Sequence, residues 1–325
     1  MKVGILGAGG IARKMANTLA GMEQAQGYAV ASRNLEKAEA FAKEWNIPKA
    51  YGAYEEMLAD EQVDLVYVAT PHSHHYEHVK LCLEHGKHVL CEKAFTVNAD
   101  QAREVLSMAE KKGLLLTEAI WTRYMPSRNM VKELVDSGVI GKVTSLTANL
   151  GYSLRGVARM EEPELAGGAL LDLGVYPLNF AAMVFGDQVK SVESTVVKSD
   201  KGVDLENSIT LTFEDGKMAV LHSNMGAVTD RRGCIFGDKG FIEVTNINNI
   251  EKLRVFDATY QEIASYDVPP QITGYEYEVE ACREAIEKGW LECPQMPHKE
   301  TIRIMEQMDA LRRSWDYVIP GEQVK

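Results

Sequence analysis

The chain opens with MKVGILGAGGIA, residues 1–12, and this stretch decides its fold. An apolar run long enough for one buried strand comes first, and a helical pattern begins directly behind the glycines. Gly7 permits the tight turn between them, and Gly9 has no Cβ, so a pyrophosphate can approach the backbone. The helix start at Gly10 and Ile11 offers free N–H groups and the positive end of the helix dipole. The stretch therefore predicts a dinucleotide-binding turn.

Length and charge limit the classes of protein to which the chain can belong. Its 325 residues exceed one ordinary compact core, so two domains are expected. Hydrophobic residues make up 46% and charged residues 25%, a profile typical of soluble globular proteins. The net charge of −12 provides no surplus of cations, which argues against nucleic acid or a membrane surface as a partner.

The cysteines and the apolar segments bear on the compartment. Five scattered cysteines without a Cys-x-x-Cys pair indicate a reduced, cytoplasmic protein rather than a disulfide framework. The first strand begins at Lys2, which leaves no room for a signal peptide. The longest apolar segment, residues 167–186, contains Asp172 and Asn179, and we interpret it as a buried helix rather than a membrane span.

Residues 1–119 alternate short apolar strands with helical patterns. The clearest strand covers residues 63–69, and a helical pattern follows each strand of this half. Such alternation predicts βαβ units and a doubly wound parallel sheet, the α/β Rossmann arrangement. Ligands of these sheets bind beyond the carboxyl ends of the strands, so the site residues are expected there.

The pattern changes at about residue 120, and residues 120–325 are predicted to form a second domain for substrate binding and oligomerisation. Four helical segments flank its strands: 127–137, 168–185, 274–288 and 298–316. Asp215-Gly216 is a hairpin signal between two of these strands. We expect an α+β domain with a mostly antiparallel, open-faced sheet and helices on one side. Burial of the other face against a second copy predicts a homodimer or homotetramer.

The end of the second strand bears on the choice of nucleotide. NAD sites usually place a carboxylate there to hold the ribose 2′-hydroxyl. This chain has Ser32 and Arg33 at that point and no acid before Glu36. Arg33 can pair with a 2′-phosphate and stack on adenine, Ser32 can donate a hydrogen bond, and Lys37 lies one helical turn further on. The pattern favours NADP over NAD.

The candidate catalytic residues lie in two places. One follows a strand of the first half, and the others are polar residues within the apolar helix predicted over 168–185. Lys93 comes after Glu92 at a strand end where a nicotinamide is expected, and it can donate a proton or lower the pKa of a neighbouring acid. Asp172 and Tyr176 are four residues apart and therefore share a helix face. Tyr176 can exchange a proton with a carbonyl or alcohol when a cation lowers its pKa. The alternatives are that Lys93 is an ordinary surface lysine and that the Tyr176 hydroxyl makes its hydrogen bond at a domain interface.

Half of the eight histidines fall in one short run, HSHHYEH, residues 72–78. His74 and His78 have a helical spacing that suits zinc, but the second half of the chain offers no evident accompanying ligands. We therefore expect no metal. The interpretation that we favour places the end of the preceding strand, Thr70 and Pro71, beside the cofactor together with His72 and His75.

Several stretches together resemble the Gfo/Idh/MocA family of oxidoreductases. They are GAGGIA (7–12), ASR (31–33), TPHSHH (70–75), CEKAFTVN (91–98), EAIWTRYMP (118–126), GGALLDLGVYPL (167–178), GYEYEVE (274–280) and MPHKETIRIMEQMDALR (296–312). The likeness runs nearly end to end. It is strongest to the branch that contains dimeric dihydrodiol dehydrogenases and NADP-dependent sugar dehydrogenases.

The resemblance implies roles for residues on both halves of the chain. Lys93 would be the active-site lysine of the family's Glu-Lys-Pro motif. Tyr176 would take a position held by histidine in many relatives, and Asp172 would be the carboxylate on the substrate side. Trp121 and Arg123 would border the nicotinamide and the substrate pocket.

Two positions depart from the family pattern. Ala94 follows Lys93 where the motif has proline, and His72 replaces a frequent asparagine. His75 matches the family position.

We expect an NADP-dependent oxidoreductase that moves a hydride between nicotinamide and a hydroxyl-bearing carbon of a sugar, polyol or cyclic diol. Tyr176 would be the general acid/base, Lys93 the cation that lowers its pKa, and Asp172 a hydrogen-bond partner of the substrate or of Lys93. Two alternatives stay open. One is a nucleotide-binding regulator without turnover, and the other is a lyase or glycosidase that uses tightly bound cofactor for transient oxidation.

Overall fold

The structure, a computed structural model, describes residues 1–322. The chain divides into two compact units. The first comprises Met1–Tyr124 together with Gln271–Glu306, and the second comprises Met125–Pro270 and the chain from Gln307 onward. The return of Gln271–Glu306 to the first unit was not predicted, because helical periodicity alone does not indicate which sheet a helix covers.

The first unit is built on a parallel sheet with helices between its strands. The strands are β1 Lys2–Leu6, β2 Gln26–Ala31, β3 Lys49–Tyr51, β4 Leu65–Val68, β5 His88–Glu92 and β6 Leu116–Ala119. The helices between them are α1 Gly10–Ala20, α2 Leu35–Trp45, α3 Tyr54–Leu58, α4 His75–Glu84 and α5 Ala99–Lys112. The strand order is β3-β2-β1-β4-β5-β6, and every neighbouring pair is parallel. The predicted α/β fold is confirmed.

Burial explains why these short runs form strands. Val3, Ile5 and Leu6 of β1 are fully buried, as are all four residues of β4. Strands that are covered on both faces require continuous apolar sequence, and this is the pattern of parallel sheets. Polar residues therefore collect where the strands end, and there they line the carboxyl edge of the sheet.

The second unit contains a larger sheet. Its strands are β7 Val143–Gly151, β8 Val189–Lys198, β9 Asp204–Phe213, β10 Met218–Asn224, β11 Gly233–Gly237, β12 Gly240–Thr245, β13 Lys252–Asp257 and β14 Glu262–Asp267. Their order is β14-β13-β12-β11-β7-β10-β9-β8. β7 and β10 pair in parallel, and the other neighbours are antiparallel. The mostly antiparallel sheet is confirmed, and the parallel pair at its centre was not predicted.

The remaining helices follow in chain order. They are α6 Pro126–Asp136, α7 Ala158–Glu161, α8 Val175–Phe185, α9 Glu276–Lys288 and α10 His298–Ser314. A π-helical stretch, Leu170–Gly174, leads directly into α8. Both pack on β7 and β10, so they cover the inner face of the sheet. The helix predicted over 168–185 is therefore present, with a wider first turn.

The helical stretch Pro163–Phe185 is long and apolar enough to cross a bilayer, and it is the one such stretch among the described residues. Of its most apolar window, 78% is buried inside the protein. A core helix that is apolar all round passes the same test, so length and composition are weak evidence for a span.

Candidate active site

The glycine turn combines a closely packed end with an open end. Gly7 has a φ of +109°, its N–H donates to Ala31 O at 2.9 Å, and a Cβ on it would lie 3.0 Å from Ala69 O. A Cβ on Gly9 or Gly10 would meet no atom within 4 Å. No side chain caps α1, whose first turn carries no acid. The open glycines beside an uncapped helix N-terminus fit a pyrophosphate.

The end of β2 presents cations without a carboxylate. Asn34 Oδ1 accepts the Lys37 N–H at 2.9 Å and thereby caps α2. Ser32 is buried, whereas Arg33 and Lys37 are exposed next to this cap. An arginine and a lysine at a helix N-terminus are groups that can hold a phosphate.

His75 links the loop after β4 to the segment after β5. It is fully buried, with Nδ1 2.8 Å from Ala94 O and Nε2 2.8 Å from Thr70 O. Burial lowers the pKa of His75. His72 is also buried, and its ring lies edge-on to that of His75, with the ring centroids 5.7 Å apart. Both histidines therefore lie near the carboxyl edge of the sheet, where His75 fixes the backbone, and their contact with the cofactor stays a prediction.

The other two histidines of the run lie near Arg33. The rings of His74 and His78 are 5.7 Å apart, and His78 Nδ1 lies 2.9 Å from Thr70 Oγ1. Burial lowers the pKa of His78 to about 4, and the charge of Arg33 contributes in the same direction. Among residues 1–322, no three His, Cys, Asp or Glu side chains are grouped as metal ligands.

Lys93 follows directly from the end of β5. It is half-buried, and its N–H donates to the Glu92 carboxylate at 3.1 Å. Glu92 is buried and accepts a hydrogen bond from the Tyr67 hydroxyl. The peptide bond between Lys93 and Ala94 is cis. The backbone that carries Lys93 is thus held by a buried carboxylate.

Two further carboxyl groups are buried in the same unit. Burial raises the pKa of Glu118, at the end of β6, to about 7. Glu278 on α9 is fully buried, and neither of its oxygens has a hydrogen-bond partner among the described residues. Its burial and the negative charge of Glu92 raise its pKa well above the usual range. Glu278 was not predicted, although its helical spacing from two buried residues, Tyr275 before α9 and Cys282 within it, is a signal that could have identified it.

Trp121 and Arg123 lie in a 3₁₀ turn after β6. Trp121 stacks on Tyr275, with ring centroids 4.2 Å apart and planes 12° apart. The Arg123 guanidinium is buried and donates to Glu300 at 2.9 Å. Arg123 therefore anchors the turn to α10, and its predicted contact with the cofactor stays a prediction.

In the second unit, Asp172 lies in the π-helical stretch and Tyr176 in the first turn of α8. Only 6% of Asp172 and 7% of Tyr176 is exposed. Arg159 on α7 donates to both oxygens of Asp172, at 2.9 and 3.3 Å. This partner was not predicted, because no sequence spacing joins α7 to residue 172. π-helical turns recur at functional sites, and the role of Asp172 on the substrate side stays a prediction.

The start of this helical stretch is fixed by packing. Asp204 on β9 accepts the Leu170 N–H at 2.7 Å, and burial raises its pKa to about 7. A Cβ on Gly168 would lie 2.0 Å from Asp204 Oδ1, and one on Gly167 would lie 2.6 Å from Met160 O. The sequence suggested that this glycine pair lets a ligand approach. In the structure, the pair instead makes room for Asp204 and for the backbone of α7.

Two family models match the chain. One, described as "Oxidoreductase family, NAD-binding Rossmann fold", matches residues 1–120, and the other, "GFO/IDH/MocA C-terminal domain", matches residues 129–243. The open glycine turn on a parallel sheet and the match to the first model define the class: an oxidoreductase with a Rossmann domain that binds NAD(P).

The chain belongs to the Gfo/Idh/MocA family, as its motifs suggested. It is 36% identical over 322 residues to "Trans-1,2-dihydrobenzene-1,2-diol dehydrogenase" of Xenopus tropicalis, covering 95% of this chain and 96% of the relative. The protein of the same name in Mus musculus is 33% identical over 336 residues, with 99% of each chain covered.

Solved structures also match over nearly the full length. KijD10, a 3-ketoreductase from Actinomadura kijaniata in complex with NADP and TDP-benzene, is 25% identical and has a TM-score of 0.88, with 96% of this chain and 97% of that chain covered. An aldose-aldose oxidoreductase from Caulobacter crescentus, 23% identical with a TM-score of 0.86, covers 100% of this chain and 99% of its own, and it shares the fold.

Proposed function

We propose that the protein is an NADP-dependent dehydrogenase that acts on a hydroxyl-bearing carbon of a cyclic diol, sugar or polyol. One observation carries the proposal: the open glycine turn at α1 and the lysine after β5 lie at the carboxyl edge of one parallel sheet. Relatives that align over almost the whole chain are named as diol dehydrogenases, which supports this substrate class.

NADP is preferred over NAD in this proposal. Arg33 and Lys37 present two exposed cations beside the N-terminus of α2, and Ser32 lies next to them. A carboxylate that would hold the ribose 2′-hydroxyl of NAD is absent from residues 32–34. KijD10, the structurally similar 3-ketoreductase, is in complex with NADP.

Three side chains act on the substrate hydroxyl. When bound, the nicotinamide exchanges the hydride with the substrate carbon. Tyr176 exchanges the hydroxyl proton, and the positive charge of Lys93 stabilises the oxygen as that proton leaves. Asp172 accepts a hydrogen bond from the substrate and orients it.

The test is a substrate panel with purified protein. Wild type is incubated with NADP or NAD and with cyclic trans-diols, aldoses and polyols, and the absorbance of reduced nicotinamide is followed. We expect turnover with at least one member of the panel, and a higher kcat/KM with NADP. Binding of NADP without turnover on any substrate would indicate a nucleotide-binding regulator. Cofactor that co-purifies and does not exchange would indicate a lyase or glycosidase.

We further propose that the protein forms a homodimer or homotetramer through the outer face of its larger sheet. Val220 pairs with Thr147 on β7 and Thr210 on β9, and all three side chains point away from the helices. Val220 and Met218 remain 40% and 44% exposed. An outer face with uncharged, β-branched residues at its centre suits burial against an identical sheet.

We also propose a cytoplasmic protein whose only other partner is a small-molecule substrate, without nucleic acid or membrane. All five cysteines are free thiols, and four of them are buried, which suits a reducing compartment. The net charge of −12 does not favour phosphate backbones or anionic lipids.

A further inference from the structure

We propose that Arg159 is a positioning residue: it holds the Asp172 carboxylate in the orientation that binds the substrate. The inference rests on the proposed dehydrogenase function, in which Asp172 orients the substrate hydroxyl. It assigns a role to a residue on α7, a four-residue helix that no catalytic motif of the sequence includes.

The two side chains form a bidentate pair. Arg159 Nη1 lies 2.9 Å from Asp172 Oδ1, and Nη2 lies 3.3 Å from Oδ2. Two parallel bonds fix both the position and the plane of a carboxylate, whereas a single bond allows it to rotate. Arg159 therefore selects one rotamer of Asp172.

Burial makes this pair favourable for a charged Asp172. The side chain of Asp172 is 8% exposed, and that of Arg159 is 46% exposed. A carboxylate withdrawn from water loses its hydration and needs a compensating charge, which the guanidinium supplies. Since the outer part of Arg159 remains in water, the cation itself keeps much of its hydration.

The backbone of α7 holds Arg159 in place. Met160 is fully buried, and its carbonyl accepts the Gly168 N–H at 3.0 Å. Gly167 lets the same carbonyl approach so closely that a Cβ there would lie 2.6 Å from it. The residue next to Arg159 is thus attached directly to the chain that leads into the helical stretch of Asp172, so the pair does not depend on a mobile loop.

Arg155 provides a matched control in the same segment. Its side chain is 54% exposed, and it donates to Glu161 at 2.7 Å rather than to Asp172. Loss of Arg155 removes a surface ion pair, which contributes little to stability. Arg159→Met and Arg155→Met therefore remove equal charge at similar exposure, and only the first removes the bidentate pair with Asp172.

The experiment compares wild type, Arg159→Met, Arg159→Lys and Arg155→Met in steady-state kinetics on the best substrate of the panel. We expect Arg159→Met to lower kcat/KM about 10- to 100-fold and to move the acidic limb of its pH profile upward. Arg159→Lys should recover part of the loss, and free guanidinium should restore activity to Arg159→Met. Arg155→Met should match wild type. Equal kinetics for Arg159→Met and Arg155→Met, or a loss that neither lysine nor guanidinium restores, would overturn the inference.

A second measurement separates this inference from the proposed function. The unfolding free energies of wild type, Arg159→Met, Asp172→Asn and the double variant form a double-mutant cycle that needs no activity. We expect the loss caused by Arg159→Met to be largest in the presence of Asp172 and to shrink in the Asp172→Asn background. Wild type that is inactive on every substrate contradicts the dehydrogenase proposal, whereas a coupling of zero contradicts the role of Arg159.

Discussion

At the scale of single residues, the buried carboxyl group of Glu278 is a notable feature of the first unit. Glu278 is fully buried without a hydrogen-bond partner among the described residues, and its pKa is raised by burial and by the charge of Glu92. A buried acid of this kind is more stable protonated, so it makes folding depend on pH.

Replacement of Glu278 should reduce that dependence. Its pKa is higher in the folded than in the unfolded protein, so the folded state binds the proton more tightly. Stability then falls as the pH rises above the unfolded value of about 4.5. We expect Glu278→Gln to be more stable than wild type by at least about 1 kcal/mol at pH 8 and to differ less at pH 5. Urea unfolding at both pH values measures this.

The comparison isolates residue 278, because Glu118 and Asp204, whose pKa values are raised in the same direction, are present in both proteins. If Glu278→Gln and wild type differed in unfolding free energy by the same amount at both pH values, Glu278 would not be the titrating group. Glu278→Met serves as a second variant if the amide itself is poorly accommodated.

Arg33 is the residue that should decide between the two nucleotides. Its guanidinium is exposed beside the N-terminal cap of α2, so it is available to a 2′-phosphate. We expect Arg33→Asp to weaken NADP binding about 10- to 100-fold through loss of a charge-assisted contact, and to leave NAD binding equal or stronger. Calorimetric titration with each nucleotide measures both values.

Lys43 offers the control for this change, because it lies in the last turn of the same helix and is exposed. Lys43→Asp changes the net charge equally. If it weakened NADP binding as much as Arg33→Asp does, the effect would be one of general charge rather than of a phosphate contact.

At the scale of elements, sequence periodicity predicted most of the fold. The helices predicted over 127–137, 274–288 and 298–316 are observed as Pro126–Asp136, Glu276–Lys288 and His298–Ser314. Apolar periodicity sufficed there because each element buries one face. It did not predict the parallel pairing of β7 with β10, or the π-helical turn at Asp172, because both depend on contacts distant in sequence.

The glycine turn allows binding and folding to be separated. A Cβ on Gly9 meets nothing within 4 Å, whereas Gly7 has a φ of +109° and closely approaches Ala69 O. We expect Gly9→Val to keep the wild-type melting temperature and to lose nucleotide binding, because the side chain fills the space of the pyrophosphate. Gly7→Val should instead destabilise the protein by about 1–3 kcal/mol.

Melting curves with and without NADP test both variants. Wild type should gain stability on addition of NADP, and Gly9→Val should not. A Gly9→Val protein that is stabilised by NADP as strongly as wild type would exclude this turn as the phosphate site.

At the scale of the whole molecule, the outer face of the larger sheet governs the assembly that we propose. Val220 lies between Thr147 and Thr210 at the centre of that face. We expect Val220→Asp to shift the protein from an oligomer to a monomer, because an aspartate buried between two sheets lacks a compensating charge. Light scattering coupled to size-exclusion chromatography measures the mass.

Glu133→Lys is a suitable control, since Glu133 is exposed on helix α6 of the same unit and not on the outer face of the sheet. A wild-type protein that elutes as a monomer at all concentrations would contradict the proposed oligomer. An oligomer that persists in Val220→Asp would place the interface elsewhere.

The position of the candidate site residues in the fold could be predicted from the sequence, whereas the side-chain contacts that fix them could not. Lys93, His72 and His75 lie at the carboxyl edge of the parallel sheet as expected, because strand ends can be read from apolar runs. The partner of Asp172 and the buried Glu278 depend on packing between elements, which one sequence does not display.

The central claim is that this is a dehydrogenase whose catalysis depends on Lys93 and Tyr176. The measurement that tests it most directly is the initial rate of NADP reduction by wild type, Lys93→Met and Tyr176→Phe, with Lys112→Met as an exposed control. We predict that Lys93→Met and Tyr176→Phe each lower kcat at least about 100-fold while NADP still binds, and that Lys112→Met behaves as wild type. Wild-type rates in Lys93→Met or Tyr176→Phe would contradict the account.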